Sequence, residues 1–101
     1  MEKEYFIDTL FDLINESDAL EAEFSEPRAG RLRVELRGAE AERPRCHVET
    51  STGGRIWTRV GAVPRKTGVL TATLTSPVSR VRLVVDASSP HPLRVSVLAV
   101  E

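Results

Sequence analysis

Residues 45–60 read Arg45-Cys46-His47-Val48-Glu49-Thr50-Ser51-Thr52-Gly53-Gly54-Arg55-Ile56-Trp57-Thr58-Arg59-Val60. Cys46, Val48 and Thr50 fall on one side of a period-two alternation and His47 and Glu49 on the other, the pattern of a strand with one covered face. Gly53-Gly54 then supplies a backbone free to take positive φ, which a tight reversal requires, and Arg55 to Val60 runs back. The stretch predicts a β-hairpin and sets the period against which the rest of the chain is read.

The same alternation recurs downstream. Leu70, Ala72 and Leu74 align within Val69 to Thr75, Val81, Leu83 and Val85 within Arg80 to Asp86, and Leu93, Val95 and Val97 within Leu93 to Val100. Pro64 and Gly68, Ser76-Pro77, and Pro90 with Pro92 punctuate these runs. Upstream, Leu20, Ala22 and Phe24 alternate with Glu21 and Glu23, and Leu32, Val34 and Leu36 alternate with Arg33 and Glu35. Pro27 and Gly30 stand between these two runs and predict a turn. About seven strands separated by turn signals, with no helix available for a crossover, predict a mainly β, antiparallel sandwich or open barrel over residues 19–101.

The first residues carry a different period. At about 100° per residue, Phe6, Ile7, Leu10, Phe11, Leu13 and Ile14 gather on one arc, with Asp8 and Asp12 among the carboxylates opposite, so residues 1–16 predict one N-terminal amphipathic α-helix. Carboxylates at i, i+4 repel, so such a helix needs an apolar surface to rest on. It is the candidate interaction element, for a protein partner or for self-association. Charge partition points the same way. Residues 1–26 hold nine acids against Lys3 alone, and the remainder holds 13 Lys or Arg against six acids, for a net charge of −1 overall. An acidic head on a basic body favours contact between them, within one chain or between copies.

A chain of 101 residues, 41% hydrophobic but only 5% aromatic, suits one domain whose core is built from aliphatic side chains. Cys46 is the single cysteine, so no intrachain disulfide forms, and no Cys/His spacing suggests a metal or cofactor. No leader pattern or apolar run of membrane-spanning length occurs, which places the expectation in the cytoplasm and away from membranes. His47 points away from Cys46, His91 lies between two prolines, and Asp86 with Ser88 and Ser89 reads as a strand end followed by a turn. No constellation for nucleophilic or acid–base catalysis emerges, and the chain is read as non-enzymatic. Arg31, Arg33, Arg37, Arg55, Arg59, Arg65, Lys66, Arg80 and Arg82 raise the idea of a basic sheet for nucleic acid or another polyanion. Stacking aromatics are too few to favour it.

The hairpin continues to Gly61, and as Val48-Glu49-Thr50-Ser51-Thr52-Gly53-Gly54-Arg55-Ile56-Trp57-Thr58-Arg59-Val60-Gly61 it resembles the V-x-x-S-x-D-G-x-x-W-x-x-V-G strand pair of discoidin-like, coagulation-factor type C domains. Ser79-Arg80-Val81-Arg82-Leu83-Val84-Val85 is similar to a later strand of those domains, and Pro92 to Val100 to their closing strand. The resemblance spans residues 45–101 and implies a galactose-binding-like jelly roll. Gly53 stands where that hairpin carries Asp, and Val81 where it carries Tyr. The resemblance therefore implies the fold and leaves the ligand open. It also suggests Trp57 as a core anchor, the alternative being an exposed platform for stacking a sugar. The favoured function is protein–protein interaction or assembly through the acidic helix and the basic body. The alternative is carbohydrate binding at loops 61–67 and 88–92, with Arg65, Arg94 and Trp57 as ligand contacts.

Overall fold

The computed structural model describes residues 4–11, 19–39, 41, 43–87 and 93–100, with backbone alone for 4–11, 25, 28 and 93–100. Six strands form, β1 (Glu4–Phe11), β2 (Ala19–Arg37), β3 (Cys46–Ser51), β4 (Thr58–Ala62), β5 (Val69–Val85) and β6 (Leu93–Val100). All pairings are antiparallel, in the order β1-β6-β2-β5-β3-β4.

Two of these strands are far longer than the runs read from the sequence. Ala19 to Phe24 and Arg31 to Arg37 are halves of the single 19-residue β2, and Val69 to Thr75 and Arg80 to Val85 are halves of the 17-residue β5. Pro27 and Gly30 do not reverse the chain. The register slips on either side of Arg28, and Gly30 sits at φ 104°. A proline without an N–H and a glycine with positive φ interrupt the ladder and bend it, while antiparallel pairing to β5 continues on both sides. The inward positions of β5 change from even (Leu70, Leu74) to odd (Val81, Leu83, Val85) across the same bend, which is the parity change that an irregularity imposes.

The bend lets one continuous sheet face itself. The first half of β2 and the second half of β5 lie with β3 and β4; the second half of β2 and the first half of β5 lie with β6 and β1. Phe24 from one side and Leu32, Val34 and Leu36 from the other enter a single core with Cys46, Val48, Val63, Val81, Leu83 and Val85. Leu32, Val34 and Val48 are at most 1% exposed. The period-two alternation read from the sequence thus places its apolar members inside, while Glu21, Glu23, Arg31, Arg33 and Arg37 are exposed. Cys46 packs in this core, and burial, followed by the negative charge of Asp86, pushes its thiol up to about 12. It is a packing residue with little thiolate at neutral pH.

The N-terminal helix is corrected by the structure. Glu4–Phe11 is strand β1, paired residue for residue with β6 from Glu4↔Val100 to Phe11↔Leu93. Phe6, Asp8, Leu10 and Phe11 therefore sit on an edge strand and not on a helical face, while Asp12, Leu13 and Ile14 lie outside the described residues. Helix propensity is a weak preference, and Tyr5-Phe6-Ile7, with Thr9 and Phe11, is an aromatic and β-branched run suited to a strand. Pairing with β6 satisfies backbone groups that an isolated acidic helix would have to satisfy by itself. No helix among the described residues is long and apolar enough to cross a membrane.

Candidate functional site

The hairpin begins where the sequence places it, but its return strand starts at Thr58. Residues 52–57 form its loop, and of the two glycines Gly54 takes positive φ, at 81°. The loop is tied to the bend of β5. Gly54 N donates to the buried Ser51 Oγ at 2.7 Å, Thr52 Oγ1 donates to the Pro77 carbonyl at 3.0 Å, and Ser79 Oγ donates to the Thr52 carbonyl. The Arg80 guanidinium lies against Gly54, where a Cβ would come within 3.0 Å of it. Such anchoring holds the loop in one shape before any ligand arrives.

Beside this loop the sheet is open. Among the described residues, β5 pairs through Val69 to Leu74 with β2 alone, and β4 pairs with β3 alone. A groove of about 800 Å³ occupies the seam. Thr50, Ser51, Arg55, Ile56, Thr58 and Val60 line it from the hairpin, and Ala72 to Ser76 with Val78 line it from β5. Its volume lies within the range of small-molecule sites. Val60 and Leu74, which also pack on the core, give it an aliphatic floor, hydroxyls surround its mouth, and none of the described lining residues carries a carboxylate. Ile56 stands at the rim, 81% exposed.

Trp57 does not join the buried core. It is half-buried at the end of the loop, and the Arg82 guanidinium lies over its ring at 4.1 Å from the centroid, within cation–π range. Arg82 continues a chain of charges across the outer face. Its Nε donates to Glu49 Oε1 at 2.5 Å, Glu49 Oε2 lies 3.3 Å from His47 Nε2, and His47 Nδ1 faces both oxygens of Asp86 at 2.8 and 2.9 Å. His47 thus has one carboxylate partner on its own strand face, Glu49 two residues on, and a second, Asp86, that no local spacing disclosed, because it arrives from just past the end of β5. The cross-strand register, His47↔Val84 and Glu49↔Arg82, is what assembles them. No hydroxyl or thiol joins the imidazole, and among the described residues no group of His, Cys, Asp and Glu is disposed to hold a metal ion.

Burial opposes ionisation of Glu49, but hydrogen bonds from Arg82 and His47, and their charges, outweigh it and hold the carboxyl below the ordinary carboxylate range. A depressed carboxyl contributes stability above its unfolded value, 4.5, and loses it as pH falls through the lower folded value. Glu49→Gln is accordingly expected to cost about 1 kcal/mol at pH 7. The difference should shrink below pH 4.5; urea midpoints measured from pH 7 to pH 3 would show it, and a difference independent of pH would contradict the ion-paired network.

The remaining sequence candidates fall elsewhere. Arg65 occupies the turn before β5, its Nε donating to the Arg43 carbonyl at 2.9 Å while Arg43 Nη1 donates to the Arg65 and Lys66 carbonyls. The backbone of Arg94 pairs with Arg37 of β2 and Leu10 of β1. Arg65 does not line the groove, and residues 88–92, His91 among them, lie outside the described residues. Several of the arginines that raised a polyanion surface are matched by acids: Arg80 with Glu21 at 2.8 Å, Arg82 with Glu49, and Arg33 with Glu35 at 3.4 Å. Glu21 and Glu23 of the acidic head thus meet Arg80 within one chain, which weakens both the polyanion reading and the need for a second copy.

No protein-family model matches the sequence, and no curated protein sequence matches it. Solved structures do. The SPBc2 prophage-derived protein YomS superposes with a TM-score of 0.68 at 10% identity, over 100% of this chain and 96% of that one. CBM32-1 from a family 31 glycoside hydrolase of Clostridium perfringens gives 0.65 at 12% identity, over 91% and 75%. The CBM32 of AlyQ, solved in complex with 4,5-unsaturated mannuronic acid, gives 0.61 at 10% identity, over 90% and 76%. The likenesses to CBM32 domains bear out, at the level of fold, the resemblance read from residues 45–101.

Proposed function

We propose that this chain is a single-domain, non-catalytic carbohydrate-binding module, a two-layer jelly-roll-like sandwich that holds a glycan in the groove between the β3–β4 hairpin and the first half of β5. The groove carries the reading. It is preformed, its rim presents the hydroxyls of Thr58, Thr73, Thr75 and Ser76, and its aliphatic floor suits the C–H face of a sugar ring. The solved structures of CBM32 domains support the same class of ligand. Assembly through an amphipathic helix loses its basis once residues 4–11 are a strand.

A glycan array probed with the intact chain is expected to give specific hits. Ala72→Phe, which fills the groove from its β5 wall, should abolish them while leaving the melting temperature within a few degrees of the parent. Loss of binding in Arg65→Ala or Arg94→Ala, with Ala72→Phe still binding, would move the site to the loops and refute the groove. Absence of any glycan binding would refute the carbohydrate reading itself.

A further inference from the structure

Resting on the carbohydrate reading, the electrostatics of the groove point to its substrate class: we infer that it selects an anionic glycan, one carrying a uronate or sulfate oxyanion that docks on Arg55. Arg55 is the single formal charge among the described residues lining the groove. Among the described residues it makes no ion pair or hydrogen bond, whereas Arg33, Arg80 and Arg82 are each held by a carboxylate. The described residues of the groove walls include no carboxylate. An anion entering it meets an unneutralised guanidinium and no repelling carboxylate.

The position of Arg55 strengthens the inference. It follows Gly54, whose amide is fixed on Ser51, and precedes the outward-facing Ile56, in a loop pinned to the bend of β5 at Thr52. The backbone that carries the guanidinium is therefore ordered in advance, which lowers the cost of aiming it at a ligand. A guanidinium meets a planar carboxylate or a sulfate through two parallel N–H donors. Ile56 beside it offers apolar contact to the ring that bears the anion. Hydroxyls from Thr58 and Thr75 remain for neutral substituents further along the groove. A cation with both donor geometry and a sugar-sized recess discriminates by charge, not by the stereochemistry of one hydroxyl.

Titration calorimetry on the intact chain tests this with four probes of matched length: a neutral oligosaccharide, an oligouronate, a sulfated oligosaccharide and a poly-glutamate peptide. At least one anionic glycan is expected to bind roughly tenfold or more tightly than the neutral one, with the preference fading at high salt. The uronate and sulfate arms identify which oxyanion is recognised. Arg55→Ala should erase the preference for the anionic glycan over the neutral one, and Arg55→Lys should retain part of it. Arg59→Ala, an exposed cation on β4 outside the groove, should change nothing. Equal affinity for neutral and anionic glycans, a preference that survives Arg55→Ala, or equal binding of poly-glutamate would overturn the inference and leave the carbohydrate reading standing. Failure of every glycan to bind would instead remove the reading beneath it.

Discussion

Truncating Leu32 to Ala is expected to destabilise the protein by about 2–5 kcal/mol, the range for deleting a fully buried aliphatic side chain. Leu32 is 1% exposed in the second half of β2, where its backbone pairs with Ala72 of β5 on one side and Ala99 of β6 on the other. It packs in one core cluster with Phe24, Val48, Val81 and Leu83. Domains of this size are stable by roughly 5–15 kcal/mol, so the loss is a large share of the total. A fall in melting temperature of at least about 10 °C follows, with a lower urea midpoint and an unchanged denaturant slope. Leu32→Met, which keeps the volume, should cost less than about 1.5 kcal/mol. A shift below about 1 kcal/mol for Leu32→Ala would mean that the two faces of the sheet do not close over this residue.

Gly68→Ala is expected to cost about 2–4 kcal/mol, although it adds one methyl group. Gly68 is buried at the entry to β5 with φ 71°, a left-handed conformation that disfavours any side chain. A Cβ there would lie 2.7 Å from the Leu36 carbonyl and 2.6 Å from Arg43 Nε. The carbonyl is backbone and cannot swing away. Relief would require moving β2 and β5 apart, straining the hydrogen bond from Leu36 N to the Gly68 carbonyl and that from Gly68 N to the Pro64 carbonyl, both 2.7 Å. Gly53→Ala provides the contrast. Nothing lies within 4 Å of a Cβ at that position, so its stability should stay within about 0.5 kcal/mol of the parent. Equilibrium unfolding of the two variants side by side separates the effects, and equal midpoints would show that the β2–β5 junction tolerates the strain.

The interior was legible from period two alone. Leu32, Val34 and Leu36, Cys46 and Val48, and Val81, Leu83 and Val85 are buried where alternation placed them, because a strand with one covered face sends alternate residues to the core whatever its partner. The hairpin was legible because Gly53-Gly54 interrupts that alternation with the residues a reversal needs. Reading β1 as a helix went wrong for an equally physical reason. Glu4 to Phe11 satisfies a helical arc and also consists of good strand formers, and the choice between them rests on β6, which is more than 80 residues away in the chain. Pro27 and Gly30, or Ser76-Pro77, signal an interruption in either of two forms. A bend in one long strand and a turn between two short ones carry the same local residues, and which neighbour each half pairs with settles the matter.

The sites divide along the same line. Arg55 and Ile56 could be read as residues near a turn, but nothing local says that Ala72 and Leu74 will stand opposite them across an unpaired seam. Likewise, Arg82 and Asp86 meet Glu49 and His47 only in the antiparallel register that aligns His47 with Val84 and Glu49 with Arg82. By itself the sequence determined that the alternate apolar residues of 32–36, 46–48 and 81–85 are inside, that the chain is mainly antiparallel β, and where the hairpin turns, since these follow from side-chain alternation and backbone freedom. The tertiary structure alone decided that two strands bend across the core, that residues 4–11 close the edge, and that a groove with one unmatched guanidinium opens beside the loop, since these depend on long-range pairing that no local pattern encodes.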